Sequence, residues 1–91
     1  MAVYKDAVGL PIALECGTDI TAATTRQIKY RKPDGTTGTW TAVQATSTKI
    51  SYTTVAGDMN FSGDIYLQAY VVTPSWTLYG DITWLTVLDI L

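Results

Sequence analysis

The chain has 91 residues, 47% of them hydrophobic and 15% charged, which supplies enough apolar area for one folded domain and argues against disorder. A formal net charge of −2, with a sequence pI near 4.6, gives polyanions no general attraction, so nucleic acid is not an expected partner. One cysteine, Cys16, and no histidine exclude an intrachain disulfide, a cysteine-based zinc site, a histidine-ligated metal and any triad with histidine as base.

In chain order, the start MAVYKDAV mixes charged and apolar residues and does not read as a secretory leader. No apolar run approaches the roughly 20 residues needed to cross a bilayer, so a soluble, non-secreted chain with no membrane partner is expected. Residues 2–5 form a possible first strand. Residues 10–16 form the next, with Leu10, Ile12, Leu14 and Cys16 sharing its core side by the two-residue period of a strand.

The stretch YRKPDGTTGTW joins predicted strands at residues 25–32 and 39–45. Its Pro-Asp-Gly step suits a type I turn followed by a left-handed glycine, and no lysine-serine signature of a phosphate loop follows. The turn sets a register: Lys32 opposite Thr36, Tyr30 opposite Gly38, Ile28 opposite Trp40 and Arg26 opposite Ala42. The alternate set pairs Arg31 with Thr37, Lys29 with Thr39 and Gln27 with Thr41. One face of this hairpin is mostly apolar and the other wholly polar, and a slip of one residue would scramble both. The basic run from Lys29 to Lys32 is thereby split between faces and reads as a solvated strand end.

Further strands are predicted at residues 49–54, 64–73 and 81–91. In the second of these, Ile65, Leu67, Ala69 and Val71 face the core. Tyr66, Gln68, Tyr70 and Val72 lie opposite, a face too aromatic for plain solvation that either packs under a loop or meets a partner. PSWTLYG reads as a loop or wide hairpin tip that exposes Trp76 and Tyr79, residue types that anchor protein interfaces. The last strand is apolar on both sides, with Ile82, Trp84, Leu88 and Ile90 on one and Leu85, Val87 and Leu91 on the other. Either a second layer from another copy or protein covers it, or the strand crosses between sheets. Tyr66, Tyr70, Val72, Trp76, Tyr79, Leu85, Val87 and Leu91 are the expected partner-binding residues.

Chemistry finds no foothold. Asp19, Asp34, Asp58, Asp64 and Asp81 fall in turns or at strand starts, where aspartate commonly accepts from nearby backbone amides, and a chain this short has little room for a cleft between paired carboxylates. GDMNFSGD spaces Asp58, Asn60 and Asp64 faintly like a calcium loop but lacks the closing glutamate, so a plain turn is expected. No catalytic residue, metal ligand or cofactor is assigned. Strand content and turn spacing alone leave an all-β sandwich or barrel.

The succession DITAAT, KPDGTTGTW, ISYTT, GDMNFSGDIYLQAYV and a final apolar strand resembles the small immunoglobulin-like virion proteins of tailed bacteriophages, and is similar to the N-terminal domain of phage baseplate upper proteins. The resemblance covers most of the chain. It implies a single domain over residues 1–91, an immunoglobulin-like antiparallel β-sandwich of about six or seven strands. It also implies a structural, non-enzymatic role in the virion, as a tail, baseplate, neck or capsid-decoration subunit assembled in the host cytoplasm. The implied partners are other virion proteins and further copies of itself. The similar baseplate domains continue into a receptor-binding or attachment region, whereas this sequence stops at Leu91, which keeps a free-standing decoration or adaptor subunit open. The alternative from another class is a carbohydrate-binding module that stacks a glycan on Trp76 and Tyr79.

Overall fold

In the computed structural model, which describes residues 2–90, the Pro-Asp-Gly turn closes as its residue types require. The Gly35 N–H donates to the Lys32 carbonyl at 2.9 Å, the Lys32 N–H donates to the Thr36 carbonyl at 2.8 Å, and the Asp34 carboxylate accepts from the Thr36 N–H. Gly35 sits at φ 92°, where an L side chain would be strained. From this turn the register follows as read from sequence: Ile28 faces Trp40, Tyr30 faces Gly38, and Arg31 faces Thr37. The Ala42 N–H continues the ladder to the Arg26 carbonyl.

Among the described residues the strands are β1 (Ala2–Tyr4), β2 (Pro11–Glu15), β3 (Thr25–Arg31), β4 (Thr37–Thr41), β5 (Val43–Gln44), β6 (Lys49–Thr53), β7 (Gly63–Val72), β8 (Thr77–Tyr79) and β9 (Thr83–Leu88). They form two sheets. The larger has the order β1-β9-β7-β3-β4, with β8 also paired to β7, and the smaller has the order β2-β6-β5. The fold is the expected all-β, immunoglobulin-like sandwich, with more strands than the six or seven read from sequence.

Three elements differ from expectation, each for a physical reason. The run predicted as one strand at residues 39–45 is two, because the chain leaves the large sheet after Thr41 and joins β6 of the small sheet at Val43. Buried Ala42 is the crossing point, and its small side chain lets the backbone pass close to the core. The crossing considered for the last strand is therefore made by this one, while β9 stays in the large sheet. The tip at residues 74–75 is tighter than expected, so Thr77–Tyr79 pairs with β7 as β8. Lastly, β1 runs parallel to β9, which makes the large sheet mixed.

The core lies between the sheets and follows the alternation of the strands. Ile12, Leu14 and Ile50 of the small sheet meet Ile28, Trp40, Ile65, Leu67, Ala69, Val71, Leu85 and Val87 of the large one. Loop residues Ile20 and Met59, both fully buried, join the same cluster. Trp40 is the centre of a three-ring stack, with Tyr30 at 4.7 Å and Tyr52 at 4.8 Å between centroids, the latter nearly coplanar at 11°.

Tyr52 ties this stack to the following turn, since its hydroxyl donates to the Asp58 carboxylate at 2.7 Å, which also accepts from the Val55 N–H. Burial first, then the Asp58 hydrogen bond and charge, push the Tyr52 hydroxyl from its ordinary 10.0 to about 12. The folded state thus holds the phenolic proton more tightly than the unfolded one. This contribution is complete below pH 10 and is lost as pH rises toward about 12. The urea midpoint should fall across that window in the wild type and fall less in Tyr52→Phe; identical slopes would show that Tyr52 ionises freely in the fold.

Gly63 opens β7 at φ 117°, and a Cβ there would lie 2.9 Å from Cγ of Pro33 in the hairpin turn. Gly63→Ala therefore meets backbone strain and a clash together. It should cost about 1–3 kcal/mol in urea unfolding, and a neutral result would mean that the β7 start is not pressed against the turn.

Candidate functional site: the outer face of the large sheet

Among the described residues no layer packs over the centre of one side of the large sheet, and cross-strand register decides which residues stand there. Tyr66 on β7 lies between Trp84 on β9 and Arg31 on β3. Two residues along, Gln68 lies beside Lys29; two further, Tyr70 lies between Tyr79 on β8 and Gln27 on β3. On the β9 flank, Leu88 stands opposite Tyr4 of β1. The result is a set of apolar and aromatic side chains over β1, β9, β7 and β8, bordered along β3 and β4 by Lys29, Arg31 and threonines. Within it the hydrogen-bonded Asp64–Thr86 pair separates Tyr4 and Leu88 from Trp84 and Tyr66.

The band is open to solvent: Trp84 is 64% exposed, Ile82 63%, Tyr4 61% and Tyr79 57%. Its rings are nevertheless held in place. Tyr70 and Tyr79 pack at 5.0 Å with a 46° tilt. Lys29 Nζ sits 4.7 Å from the Tyr70 ring centre, and the Arg31 guanidinium carbon 5.3 Å from that of Tyr66, so cations cap both tyrosines. Between β8 and β9 the ladder is interrupted. The Gly80 N–H donates to the Ala69 carbonyl at 2.9 Å, and the Gln68 side-chain amide donates to the Gly80 carbonyl at 2.9 Å. This bridging side chain satisfies the carbonyl at the break and leaves Ile82 standing beside the groove that Lys29, Arg31, Thr37, Thr39, Tyr66 and Gln68 line, a shallow depression of about 370 Å³.

Of the expected partner-binding residues, Tyr66, Tyr70 and Tyr79 come together on this face, and half-buried Val72 lies at its end, opposite Thr77. Trp76 closes the β7–β8 turn, its carbonyl accepting from the Thr73 N–H at 2.8 Å. Tyr79 stands on the outer face opposite Tyr70, whereas exposed Trp76 lies in the turn that precedes β8. Leu91 lies outside the described residues.

Leu85 and Val87 are a correction. Both are buried in the chain's own core, at 8% and 1% exposure, because pairing with β7 sets Leu85 opposite Ile65. The same pairing sends Ile82, Trp84 and Leu88 outward, so the exposed apolar side of the last strand is the one that the expected residue set omitted. Lys29 and Arg31 were also missed, since their face reads as solvated until β3 is placed against β7. The register of the local hairpin could not reveal that neighbour.

The faint calcium spacing does not converge. Asp58 is engaged by Tyr52 and Val55, the Asn60 side-chain Oδ1 accepts from Lys32 at 3.3 Å, and Asp64 accepts from the Thr86 hydroxyl at 2.9 Å. Among the described residues no three histidine, cysteine, aspartate or glutamate side chains group to hold a metal ion.

No family model matches the chain, and no curated protein matches it significantly. Among solved structures it is similar to CopC from Methylosinus trichosporium OB3b, with a TM-score of 0.63 over 98% of this chain and 86% of that one, at 15% identity. The likeness at that identity is one of fold: both chains are β-sandwiches.

Proposed function

We propose that the chain is an assembly module, a small structural subunit of a tailed-bacteriophage particle that joins neighbouring virion proteins through the outer face of its large sheet and transforms no substrate. The observation that carries the assembly reading is the band of Tyr4, Leu88, Trp84, Tyr66, Ile82 and Tyr79. These are large apolar and aromatic side chains on one face, exposed although the sandwich core is complete without them. Large exposed apolar side chains clustered on one face of a small domain mark an interaction surface, and tryptophan and tyrosine are the residues that most often dominate binding energy. The placement in a phage particle rests on the sequence resemblance, carried by the turn residues and strand order from DITAAT to the final strand. Tail, baseplate, neck and capsid-decoration positions all fit it.

The test is quantitative mass spectrometry of purified, nuclease-treated particles of the phage that carries the gene. The chain should be present at a fixed copy number relative to the other structural proteins. Its absence from complete particles would overturn the reading.

A further inference from the structure

The groove between the aromatic band and β4 carries a charge that the assembly reading does not explain. Lys29 and Arg31 stand two residues apart on β3, and the residues directly across from them are Thr39, Gln68, Thr37 and Tyr66, none of them acidic. Among the described residues the groove lining contains no carboxylate. In a chain of net charge −2, two cations are thus held over tyrosine rings rather than paired with the protein's own acids. Capping a ring leaves the guanidinium edge of Arg31 and the ammonium of Lys29 free to donate further hydrogen bonds.

The geometry points to an extended acidic segment of a partner protein as the occupant of this groove, with carboxylates at alternate positions that meet Lys29 and Arg31. Alternate side chains on one face of a strand are spaced by about 7 Å. An extended segment laid along β3 repeats at the interval of the Lys29 and Arg31 strand positions, so an acid-x-acid pair meets Arg31 beside Tyr66 and meets Lys29 once its ammonium swings back from the Tyr70 ring. Arg31 can form the two-pronged bond that guanidinium offers a carboxylate. The hydroxyls of Thr37 and Thr39 line one flank, and Ile82 with Tyr66 offers an apolar wall on the other. This sequence does not contain the matching motif: its acids fall at positions 6, 15, 19, 34, 58, 64, 81 and 89, never two apart. These 91 residues therefore do not carry the segment, and the occupant proposed is a partner protein.

The inference names the partner chemistry of the proposed assembly face and so rests on that reading. It is tested by titrating the isotope-labelled protein, followed by NMR, with an acetylated decapeptide carrying two glutamates at alternate positions among threonines. Shifts should centre on Lys29, Arg31, Tyr66 and Gln68. A Lys29→Gln/Arg31→Gln double variant, melting as the wild type does, should bind about tenfold more weakly, the effect of losing two exposed ion pairs. Equal affinity for a control peptide with adjacent glutamates, equally tight binding of a ten-nucleotide oligothymidylate, or shifts centred elsewhere would each overturn the inference. Normal incorporation of the double variant into particles that exclude Trp84→Arg would overturn it too, while sparing the assembly reading. Absence of the wild-type chain from particles would overturn the assembly reading whatever the peptide does.

Discussion

Replacing Trp40 by alanine is expected to lower stability by about 3–5 kcal/mol, the usual cost of removing a buried large aromatic residue. Trp40 is 6% exposed and is gripped on both sides, by the tilted ring of Tyr30 and the nearly parallel ring of Tyr52. Aromatic pairs add about 0.5–1.5 kcal/mol each beyond their area burial, and both pairs vanish together. The surroundings cannot collapse easily into the space. Ile28 is fixed opposite by the hairpin register, and Tyr52 is anchored away from the gap by its bond to Asp58. A small domain has about 5–15 kcal/mol to lose in total, so the variant should be partly unfolded at moderate temperature. Urea unfolding followed by circular dichroism measures the loss. A change below about 1 kcal/mol, the size of an ordinary surface effect, would mean that the ring stack is not the centre of the core.

How much of this could be read from the sequence depended on how local the determinant was. The β3–β4 register was legible because a Pro-Asp-Gly turn allows few geometries and because one slip exchanges an apolar face for a polar one. The core sides of β2 and β7 were legible because aliphatic residues recur at every second position along them, and burial alternates accordingly. For β9 that signal is absent: Trp84 and Leu88 on one side are as apolar as Leu85 and Val87 on the other. Only the pairing of Leu85 with Ile65, a contact between distant parts of the chain, decides which side is inside. The crossing at Ala42 was hidden because the alternation of Trp40, Ala42 and Gln44 runs through it without a turn residue. The groove was hidden because its floor combines β3 with β7, and nothing in either strand alone names the other as its neighbour.

The same ambiguity gives the sharpest test of the proposed assembly face, in a pair of substitutions three residues apart. Trp84→Ala should leave the urea midpoint almost unchanged, within about 0.5 kcal/mol, because surface changes away from special features cost little. Its ring is 64% exposed and lies outside the core cluster, against Tyr66 and not beneath it. Val87→Ala should instead cost about 2 kcal/mol, from two lost methyl groups and the cavity they leave at a position only 1% exposed. Assembly should respond in the reverse order. When each variant is co-expressed with wild type during particle formation, the Trp84→Ala chain should be under-represented by about 30-fold or more, the effect of a tryptophan hot spot worth at least about 2 kcal/mol. Val87→Ala molecules that fold still present an intact outer face, so they should enter particles in proportion to their folded fraction. Alternation across β9 thus separates stability from docking within a single strand. Should Trp84→Ala enter particles on equal terms with wild type, the aromatic band would not be the docking surface.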